Sequence, residues 1–341
     1  MIKVLTYNEI DRGEWSRLVQ TSATGTWFQT PEAFEFFESM PNLFRSFVIG
    51  VASNLPSLRG RGGDRLLLRG VCVGYVTVER NPIKQYFTRR AIIIGGPCLA
   101  DDFTSNEVEI LMNAVHKELK GEAIYVESRN FNDYSKWKVA FEQAGFEYKR
   151  HLNFHVDCTG KEKMWERLSK TRQKQIRRAL RSGVEVVEPA EEDVKKWYAI
   201  LQEMYRQKVK LPLLPMDFFL NAYRSGKAKY LMVKFNGEVI GGLMFEMDEK
   251  SVYEWYVCGL DSAYERQYPS VVATYAGMEY ANAHGRRCCD LMGAGEPGVP
   301  YGVRDFKERF GGQLVEHGRF VCVREPLLYK IGVLGVKMMR G

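Results

Sequence analysis

One segment near the C-terminal end joins a glycine-rich turn to a single lysine. Residues 288–292 (Cys-Cys-Asp-Leu-Met) have the composition of a short buried strand, and the glycines and prolines of residues 293–300 end it. Residues 301–310 then have helical spacing, which the Gly311-Gly312 pair ends. The pattern therefore predicts Lys307 one or two turns into a short helix directly after a strand end.

Position alone leaves two interpretations of Lys307. We expect Tyr301, Phe306 and Phe310 to face inward, which places Lys307 at the edge of an apolar stripe, where its ammonium could enter a cleft. A solvated helix lysine is the plainer interpretation, and position alone favours it. In a cleft, such a lysine would supply positive charge where an oxyanion forms during a reaction.

A second concentration of charge lies in the middle of the chain. Residues 159–162 (Thr-Gly-Lys-Glu) form a capping-box pattern, which predicts a helix running to about Arg181 and ended by Gly183. From residue 166 to residue 181 it carries seven cations against the single acid Glu166: Arg167, Lys170, Arg172, Lys174, Arg177, Arg178 and Arg181. Solvation and phosphate binding explain the cluster equally well. Arg172 differs, because it falls within the apolar stripe, where its burial requires an anionic partner.

The elements that must position these side chains occur in the same order twice. Each half has the pattern of an extended hairpin, a helix, a strand, a second helix and a closing strand. In the first half these elements are predicted at residues 45–52, 66–78, 91–94, 106–119, 124–127, 137–144 and 146–156, with a Gly/Arg-rich insertion at 53–64. In the second half they are predicted at residues 230–235, 239–247, 252–258, 270–283, 288–292, 301–310 and 313–323. We therefore expect two domains, residues 1–156 and 157–341.

Composition limits the class of protein. The 341 residues are 45% hydrophobic, which is ample for two buried cores. The net charge of +7 is compatible with a phosphate-bearing partner but does not decide it. The N-terminus lacks a signal-peptide core, no apolar run could span a bilayer, and the seven cysteines form no CxxC pair. We predict a reduced, cytoplasmic protein without a metal site, since His151 and His155 have no cluster of further ligands.

Four weak motifs in the right order resemble the FemAB peptidyltransferases, which add amino acids from aminoacyl-tRNA to the peptide of cell-wall precursors. The resemblance spans nearly the whole chain. The motifs are Trp27-Phe-Gln-Thr-Pro-Glu32, Gly95-Gly-Pro97, Leu168-Ser-Lys-Thr-Arg172 with Ile176-Arg-Arg-Ala179 and Gly183-Val184, and Asp305-Phe-Lys-Glu-Arg-Phe-Gly-Gly312. The resemblance implies an α+β fold of two tandem acyl-CoA N-acyltransferase (GNAT-like) domains, each a mixed, mostly antiparallel sheet flanked by helices.

The resemblance also implies roles for particular residues. The lysine of the family's Phe-Lys pair handles the acyl donor, and this role falls on Lys307 with Phe306. Basic helix residues of the family meet precursor phosphates, and this role falls on Lys170 and Arg172. Gln29, Tyr301 and Asp305 are the further predicted substrate contacts. The implied donor is aminoacyl-tRNA, with no cofactor, and the implied acceptor is a peptidoglycan precursor, UDP-linked or lipid-linked. Candidates for a general base, by location only, are Asp101, Asp102 and Asp305.

The chain departs from the family pattern in two places. Members that act on soluble nucleotide-linked precursors carry lysines shortly after the glutamine motif, where this chain has Glu35 and Phe37, which puts the acceptor in doubt. No segment between residues 184 and 229 has the heptad pattern of the helical arm that resembles a tRNA-binding element in some members. The tRNA donor is therefore inferred from the family alone.

Two alternatives to this function stay open. The first is an acetyl-CoA-dependent N-acetyltransferase, although the turn at Arg266-Gln-Tyr-Pro-Ser-Val271 has no glycine and Pro269 removes one of the N–H donors that would bind a pyrophosphate. The second is a protein that binds nucleic acid through the basic helix without catalysis.

The C-terminal segment, residues 326–341, has apolar side chains at helical spacing with Lys330, Lys337 and Arg340 nearby. Packing against the second domain is the expected role of this segment. A peripheral contact with the inner membrane surface is the alternative, because the helix is amphipathic.

Overall fold

The computed structural model describes residues 2–54 and 66–340. The predicted insertion at residues 53–64 lies largely outside this part of the chain. In chain order the described strands are β1 (Ile2–Leu5), β2 (Phe44–Asn54), β3 (Leu66–Thr77), β4 (Arg90–Gly95), β5 (Cys98–Leu99), β6 (Tyr125–Asn130), β7 (Glu147–Lys149), β8 (Leu152–Asp157), β9 (Val184–Val187), β10 (Lys229–Phe235), β11 (Glu238–Met247), β12 (Ser251–Gly259), β13 (Cys288–Gly293), β14 (Gln313–Glu316) and β15 (Arg319–Val323).

Helices flank the strands. In chain order they are α1 (Arg12–Thr21), α2 (Pro31–Glu38), α3 (Pro82–Thr88), α4 (Ser105–Glu118), α5 (Lys138–Gln143), α6 (Lys161–Arg167), α7 (Lys170–Arg181), α8 (Glu191–Met204), α9 (Met216–Arg224), α10 (Pro269–Ala283), α11 (Gly302–Glu308) and α12 (Pro326–Arg340). Every helix in the described part of the chain is too short or too polar to cross a bilayer.

The chain divides into two compact units. The first comprises Met1–Arg150 and Glu316–Lys337, and the second comprises His151–Val315 and Met338–Gly341. In the first unit the strand order is β1-β2-β3-β4-β6-β15-β7, with β5 on β3, and β4 runs parallel to β6. One face of this sheet buries the apolar side chains of α4 and α5, among them Leu111, Val115 and Phe141.

The second unit repeats the plan with a seven-stranded sheet in the order β14-β8-β13-β12-β11-β10-β9. Here β12 runs parallel to β13, and the other neighbours with a described register are antiparallel. Helix α10 packs on this sheet with ten buried residues, and α7 joins the same core through Ile176 and Ala179. Both units are therefore mixed, mostly antiparallel sheets flanked by helices, which confirms the predicted fold class.

The closing strands differ from their predicted form. Each predicted closing strand, 146–156 and 313–323, is two strands that belong to different sheets: β7 and β15 lie in the first sheet, while β8 and β14 lie in the second. The expected boundary after residue 156 therefore falls within β8, a strand of the second unit. Gly318, with a left-handed backbone (φ 65), turns the chain between β14 and β15. Alternation of apolar residues predicts that a segment is a strand, but it does not predict which sheet the strand joins.

The predicted basic helix is also two helices. Residues Leu168 and Ser169 leave the helical conformation (ψ 140 and 148), and the Ser169 hydroxyl caps α7 by accepting from the Arg172 N–H at 3.3 Å. Thr159 does not form the expected capping box, because its hydroxyl and N–H both donate to the Asp157 carboxylate. The break at these two residues makes α6 and α7 separate helices.

Candidate active site in the second unit

The parallel pair β12 and β13 separates partway along its length. The paired residues are Ser251–Tyr253 opposite Cys288–Asp290. Both strands continue beyond this run, so backbone groups past the last pair lie outside that ladder. We call the region just past the last pair, formed by Glu254 and Leu291–Gly293, the strand fork.

Lys307 of α11 lies at the strand fork with 7% of its surface exposed. Its ammonium donates to the carbonyl of Leu291 and, at 3.0 Å, to that of Gly293. These bonds use two of its three N–H donors, and the third has no acceptor among the described residues. Burial lowers the pKa of Lys307, and the negative charges of Glu254 and Asp290 oppose that effect. The interpretation of Lys307 as a solvated helix residue is therefore wrong.

Glu254 is the buried acid of the strand fork, with 4% of its surface exposed. Neither carboxylate oxygen has a hydrogen bond of ordinary geometry to any described residue. Burial raises the pKa of Glu254 to about 7, although the charge of Lys307 and the hydroxyl of Thr274 act to lower it. Glu254 can therefore gain or lose a proton near neutral pH, as a general base must.

Asp290 holds the bend at the end of β13. One of its carboxylate oxygens accepts from the Met292 N–H at 2.6 Å, and the other lies 3.3 Å from His155 Nε2. Met292 has a left-handed backbone (φ 60), which is uncommon for a residue with a side chain. The bend lies between the two carbonyls that Lys307 binds, so Asp290 stabilises the geometry of that acceptor pair. Burial lowers the pKa of His155, but Asp290 more than offsets this, and the net pKa is raised.

Arg172 fixes the helix that carries Lys307. Its guanidinium lies 4.5 Å from the ring centre of Phe306 and 4.9 Å from that of Phe310. It also donates to the Phe306 carbonyl at 3.1 Å and to Gln175 Oε1 at 2.7 Å. With 4% of Arg172 exposed, burial lowers its pKa to about 10. The anionic partner expected for Arg172 is replaced by two aromatic rings and two neutral oxygens, so this side chain positions Phe306 and Lys307.

Arg304 organises the glycine-rich loop between β13 and α11. Its guanidinium donates to the carbonyls of Ala294 (2.9 Å), Val299 (3.0 Å) and Glu296. Three loop carbonyls are thus tied to the first turn of α11. The loop is a bend that places Lys307 at the strand fork.

The remaining predicted contacts of the second unit lie on its surface. Tyr301 is 43% exposed, so the expectation that it faces inward is wrong: α11 begins at Gly302, and Tyr301 stands before it at the N-cap. Asp305 on α11 and Lys170 on the first turn of α7 are exposed as well. Phe306 is half-buried and packs on the buried ring of Phe310 at 5.2 Å.

Gln29 lies in the first unit and is fully buried. Its amide nitrogen donates to the carbonyls of Val73 (3.0 Å) and Ile94 (2.9 Å), and its amide oxygen accepts from the Val73 N–H at 2.8 Å. Both amide N–H donors are therefore used within the unit. This geometry makes Gln29 a bridge between β3 and β4, in contrast to the predicted substrate contact.

The general-base candidates of the first unit are likewise engaged. Asp102 pairs with Arg69 at 2.8 Å, and Asp101 accepts from the Ala23 N–H at 3.0 Å. The buried acid Glu254 was missed by the sequence reasoning. The available signal was an acid in the otherwise apolar strand segment Val252-Tyr-Glu-Trp-Tyr256, where burial of a charge requires a reason.

The comparisons with known proteins find one family match, and it lies in the second unit. Residues 169–308 match the family model of the acetyltransferase (GNAT) domain. These bounds run from the N-cap of α7 to the last residue of α11, and they include Arg172, Glu254 and Lys307. No curated protein sequence matches the chain significantly.

Solved structures resemble the chain over almost its whole length. The structure of FemX has a TM-score of 0.70 at 14% identity, covering 96% of this chain and 99% of FemX. The structure of L-PGS from Bacillus licheniformis has a TM-score of 0.55 at 13% identity, covering 96% and 97%. A tandem GNAT protein from the clavulanic acid biosynthesis pathway has a TM-score of 0.54 at 12% identity, covering 94% and 98%. The chain thus has the tandem GNAT fold, and the predicted resemblance to the FemAB family is confirmed at the level of that fold.

Proposed function

We propose that this protein is an acyltransferase that moves an amino acid from aminoacyl-tRNA to an amine of a peptidoglycan precursor peptide. The observation that carries the proposal is the buried Lys307 ammonium at the strand fork, fixed by two carbonyls with one N–H donor left over. A buried, oriented cation of this kind is suited to an oxyanion, because its electrostatic effect is larger away from water.

The chemistry needs little beyond position and charge. The acceptor amine attacks the ester carbonyl that joins the amino acid to tRNA, a tetrahedral oxyanion forms, and loss of the ribose hydroxyl leaves an amide. Lys307 stabilises the oxyanion, and Glu254, with its pKa of about 7, accepts a proton from the amine nitrogen as it attacks and returns it to the ribose oxygen as the ester C–O bond breaks. Aminoacyl esters are activated already, so neither a covalent intermediate nor a cofactor is proposed.

An acetyl-CoA donor is less compatible with the start of α10. The Ser270 N–H and hydroxyl both donate to the Asp261 carboxylate, at 3.1 and 2.6 Å. The preceding Pro269 has no N–H, and Tyr268 is held in a left-handed conformation (φ 48). A negative charge of the chain itself therefore lies at the helix end where a pyrophosphate would bind in the acetyltransferase alternative.

The donor experiment separates the two transferase interpretations. Radiolabelled aminoacyl-tRNAs and acetyl-CoA are offered in parallel with UDP-linked and lipid-linked precursor peptides, to wild type and to Lys307→Ala. We expect transfer from aminoacyl-tRNA that the Lys307→Ala variant loses. Transfer from acetyl-CoA alone would overturn the proposal, and RNA binding without any product would favour the non-catalytic alternative.

A membrane contact would suit a lipid-linked acceptor and a cytoplasmic protein at the inner membrane surface. Its support is the exposed apolar stripe of α12, where Leu327 is 77%, Ile331 51% and Leu334 56% exposed. These side chains recur at helical spacing beside Lys330. Co-sedimentation with phosphatidylglycerol vesicles should fall when residues 326–341 are deleted, and unchanged co-sedimentation would remove the membrane contact from the proposal.

A further inference from the structure

The outer side of α7 carries positive charge that the candidate site does not use. Five exposed cations lie there, and we call them the basic face: Lys170, Lys174, Arg177, Arg178 and Arg181. On a helix they fall within an arc of about 100° and along about 16 Å of the axis. Helix α7 contains no acidic residue. The five side chains therefore form one continuous cationic strip.

The basic face is not neutralised by its surroundings. No carboxylate of the described residues lies within ion-pair distance of any of its five side chains. Four other cations on the surface of the same unit are paired: Lys195 and Arg224 with Glu191, Lys196 with Glu238, and Arg206 with Glu203. Helix α7 differs in that five cations without a described ion pair lie together on one face of a single helix.

The basic face borders an open hollow on the protein surface. Four members of the basic face, together with Ser182, line a surface hollow with a volume of about 810 Å³. Like charges three and four residues apart repel one another along a helix. A ligand with several negative charges along its length removes that repulsion at every position, whereas a single anion removes it at one. The geometry points to a polyanion.

A nucleic-acid backbone fits the basic face better than a lipid surface does. Helices that rest on membranes insert their apolar side, and in α7 that side, with Ile176 and Ala179, is buried in the protein core. Leu180 is the exposed apolar side chain of α7, and it is only half exposed (49%). Cations along one face of a rigid helix suit the regularly repeated phosphates of a nucleic-acid strand.

We propose that the basic face of α7 binds the sugar-phosphate backbone of RNA and holds the body of the aminoacyl-tRNA donor. The identity of the RNA rests on the proposed function, but the binding does not depend on transfer. Each phosphate contact to a duplex contributes about −0.9 to the slope of log K against log salt concentration, so four or five contacts predict a slope of about −4. Binding should weaken roughly 100- to 500-fold between 50 and 200 mM salt.

The test measures fluorescence anisotropy of a labelled 20-base-pair RNA duplex with the full chain. The variant Lys174→Gln/Arg177→Gln/Arg178→Gln/Arg181→Gln should bind at least tenfold more weakly at 100 mM salt, with a slope near −1. The control variant Lys195→Gln/Lys196→Gln/Arg206→Gln/Arg224→Gln removes the same charge from the same unit, and its Kd should stay within threefold of wild type. Circular dichroism verifies that both variants are folded, and if the first is not, Arg178→Gln alone should reduce the slope by about 0.9.

Three outcomes would overturn the basic face as an RNA site: equal weakening in both quadruple variants, unchanged binding in the first, or phosphatidylglycerol vesicles binding through α7 while the RNA duplex does not. The proposed function fails on different evidence. A wild-type protein that binds RNA through α7 but transfers only from acetyl-CoA keeps the basic face and loses the aminoacyl donor.

Discussion

The two units contain the same pair of parallel strands, and the pairs differ in how far they stay together. In the first unit β4 and β6 pair along six residues, from Arg90 opposite Tyr125 to Gly95 opposite Asn130. In the second unit β12 and β13 pair along three residues and then separate at the strand fork. The same architecture is thus closed in one unit and open in the other.

The buried polar side chains follow this difference. In the first unit Gln29 bridges β3 and β4, and Glu127 of β6 pairs with Arg129 and Arg319, so these polar groups are engaged within their own sheet. In the second unit Lys307 keeps a spare N–H and Glu254 lacks an ordinary hydrogen bond among the described residues. A closed strand pair uses its polar groups for stability, whereas an open one leaves them available for a ligand.

The largest expected effect is a loss of transfer activity when Lys307, at the open strand pair of the second unit, is replaced. Lys307→Met keeps the length of the side chain but removes the cation, and we expect transfer to fall about 100- to 1000-fold, the usual effect of losing one oxyanion donor. Single-turnover rates with aminoacyl-tRNA measure it. A rate within threefold of wild type would show that the strand fork does not take part in the reaction.

Gln29→Ala is the matched change in the closed unit. It leaves the Val73 N–H and the Ile94 carbonyl without this partner, so we expect the free energy of unfolding to fall by about 3 kcal/mol. The single-turnover rate of the folded fraction should be unchanged. A rate loss comparable to that of Lys307→Met would place the first unit in the reaction.

Glu254→Gln should change how stability depends on pH. Because the pKa of Glu254 rises from 4.5 to about 7 on folding, its stabilising contribution is fully present below pH 4.5 and is lost as the pH rises through 7. The loss amounts to about 3 kcal/mol. Glutamine does not titrate, so the variant should gain this much stability relative to wild type between pH 4.5 and pH 8, as measured by urea unfolding.

Glu246→Gln provides the control, because burial also raises the pKa of Glu246 well above its usual value. Both variants should show the stability trend, but only Glu254→Gln should alter the pH dependence of transfer. If the two variants have the same pH–rate profile, Glu254 has no part in proton transfer.

Arg172→Lys should have the smallest effect of the series. Lysine keeps the charge but has no flat guanidinium to place against the rings of Phe306 and Phe310, so we expect a loss of about 1–2 kcal/mol of stability. Because the contact of Arg172 with Phe306 orients Lys307, kcat should fall more than KM rises. Arg89→Lys, which alters a similar contact with the ring and the carbonyl of Tyr86 in the first unit, should lower stability by less than about 1 kcal/mol and leave kcat unchanged.

The sequence was sufficient for much of the second unit. Apolar alternation predicts β10, β11 and β12, and helical spacing predicts α10, all within two residues of their observed bounds, since these elements are long and strongly patterned. It also placed Lys307 in a short helix after a strand end. Its burial could not be predicted, because burial depends on where β12 and β13 separate and on the contact of α11 with Arg172, which joins residues far apart in the chain.

Other features depend on contacts that a local pattern does not encode. The closing strands needed a choice between two sheets, which periodicity does not make. Arg172 is a cation in an apolar stripe, as the spacing predicts, but its partners are two rings and two neutral oxygens, which a rule about charge pairing does not predict. Glu254 lies in an otherwise apolar strand, and the strand pattern does not predict that it lies at the strand fork with Lys307.

Each predicted closing strand is divided between the two sheets, and this has a consequence for how the chain folds. Strand β15 lies between β6 and β7, so the first sheet joins residues 125–130 to residues 319–323. During synthesis this sheet cannot close until residues 319–323 have left the ribosome, and most of the second unit is an insertion within the first. Contacts so distant in sequence slow folding and leave strand edges exposed in the meantime. A fragment that ends at residue 156 would lack the strand that joins β6 to β7, so the two units do not correspond to two separable halves of the chain.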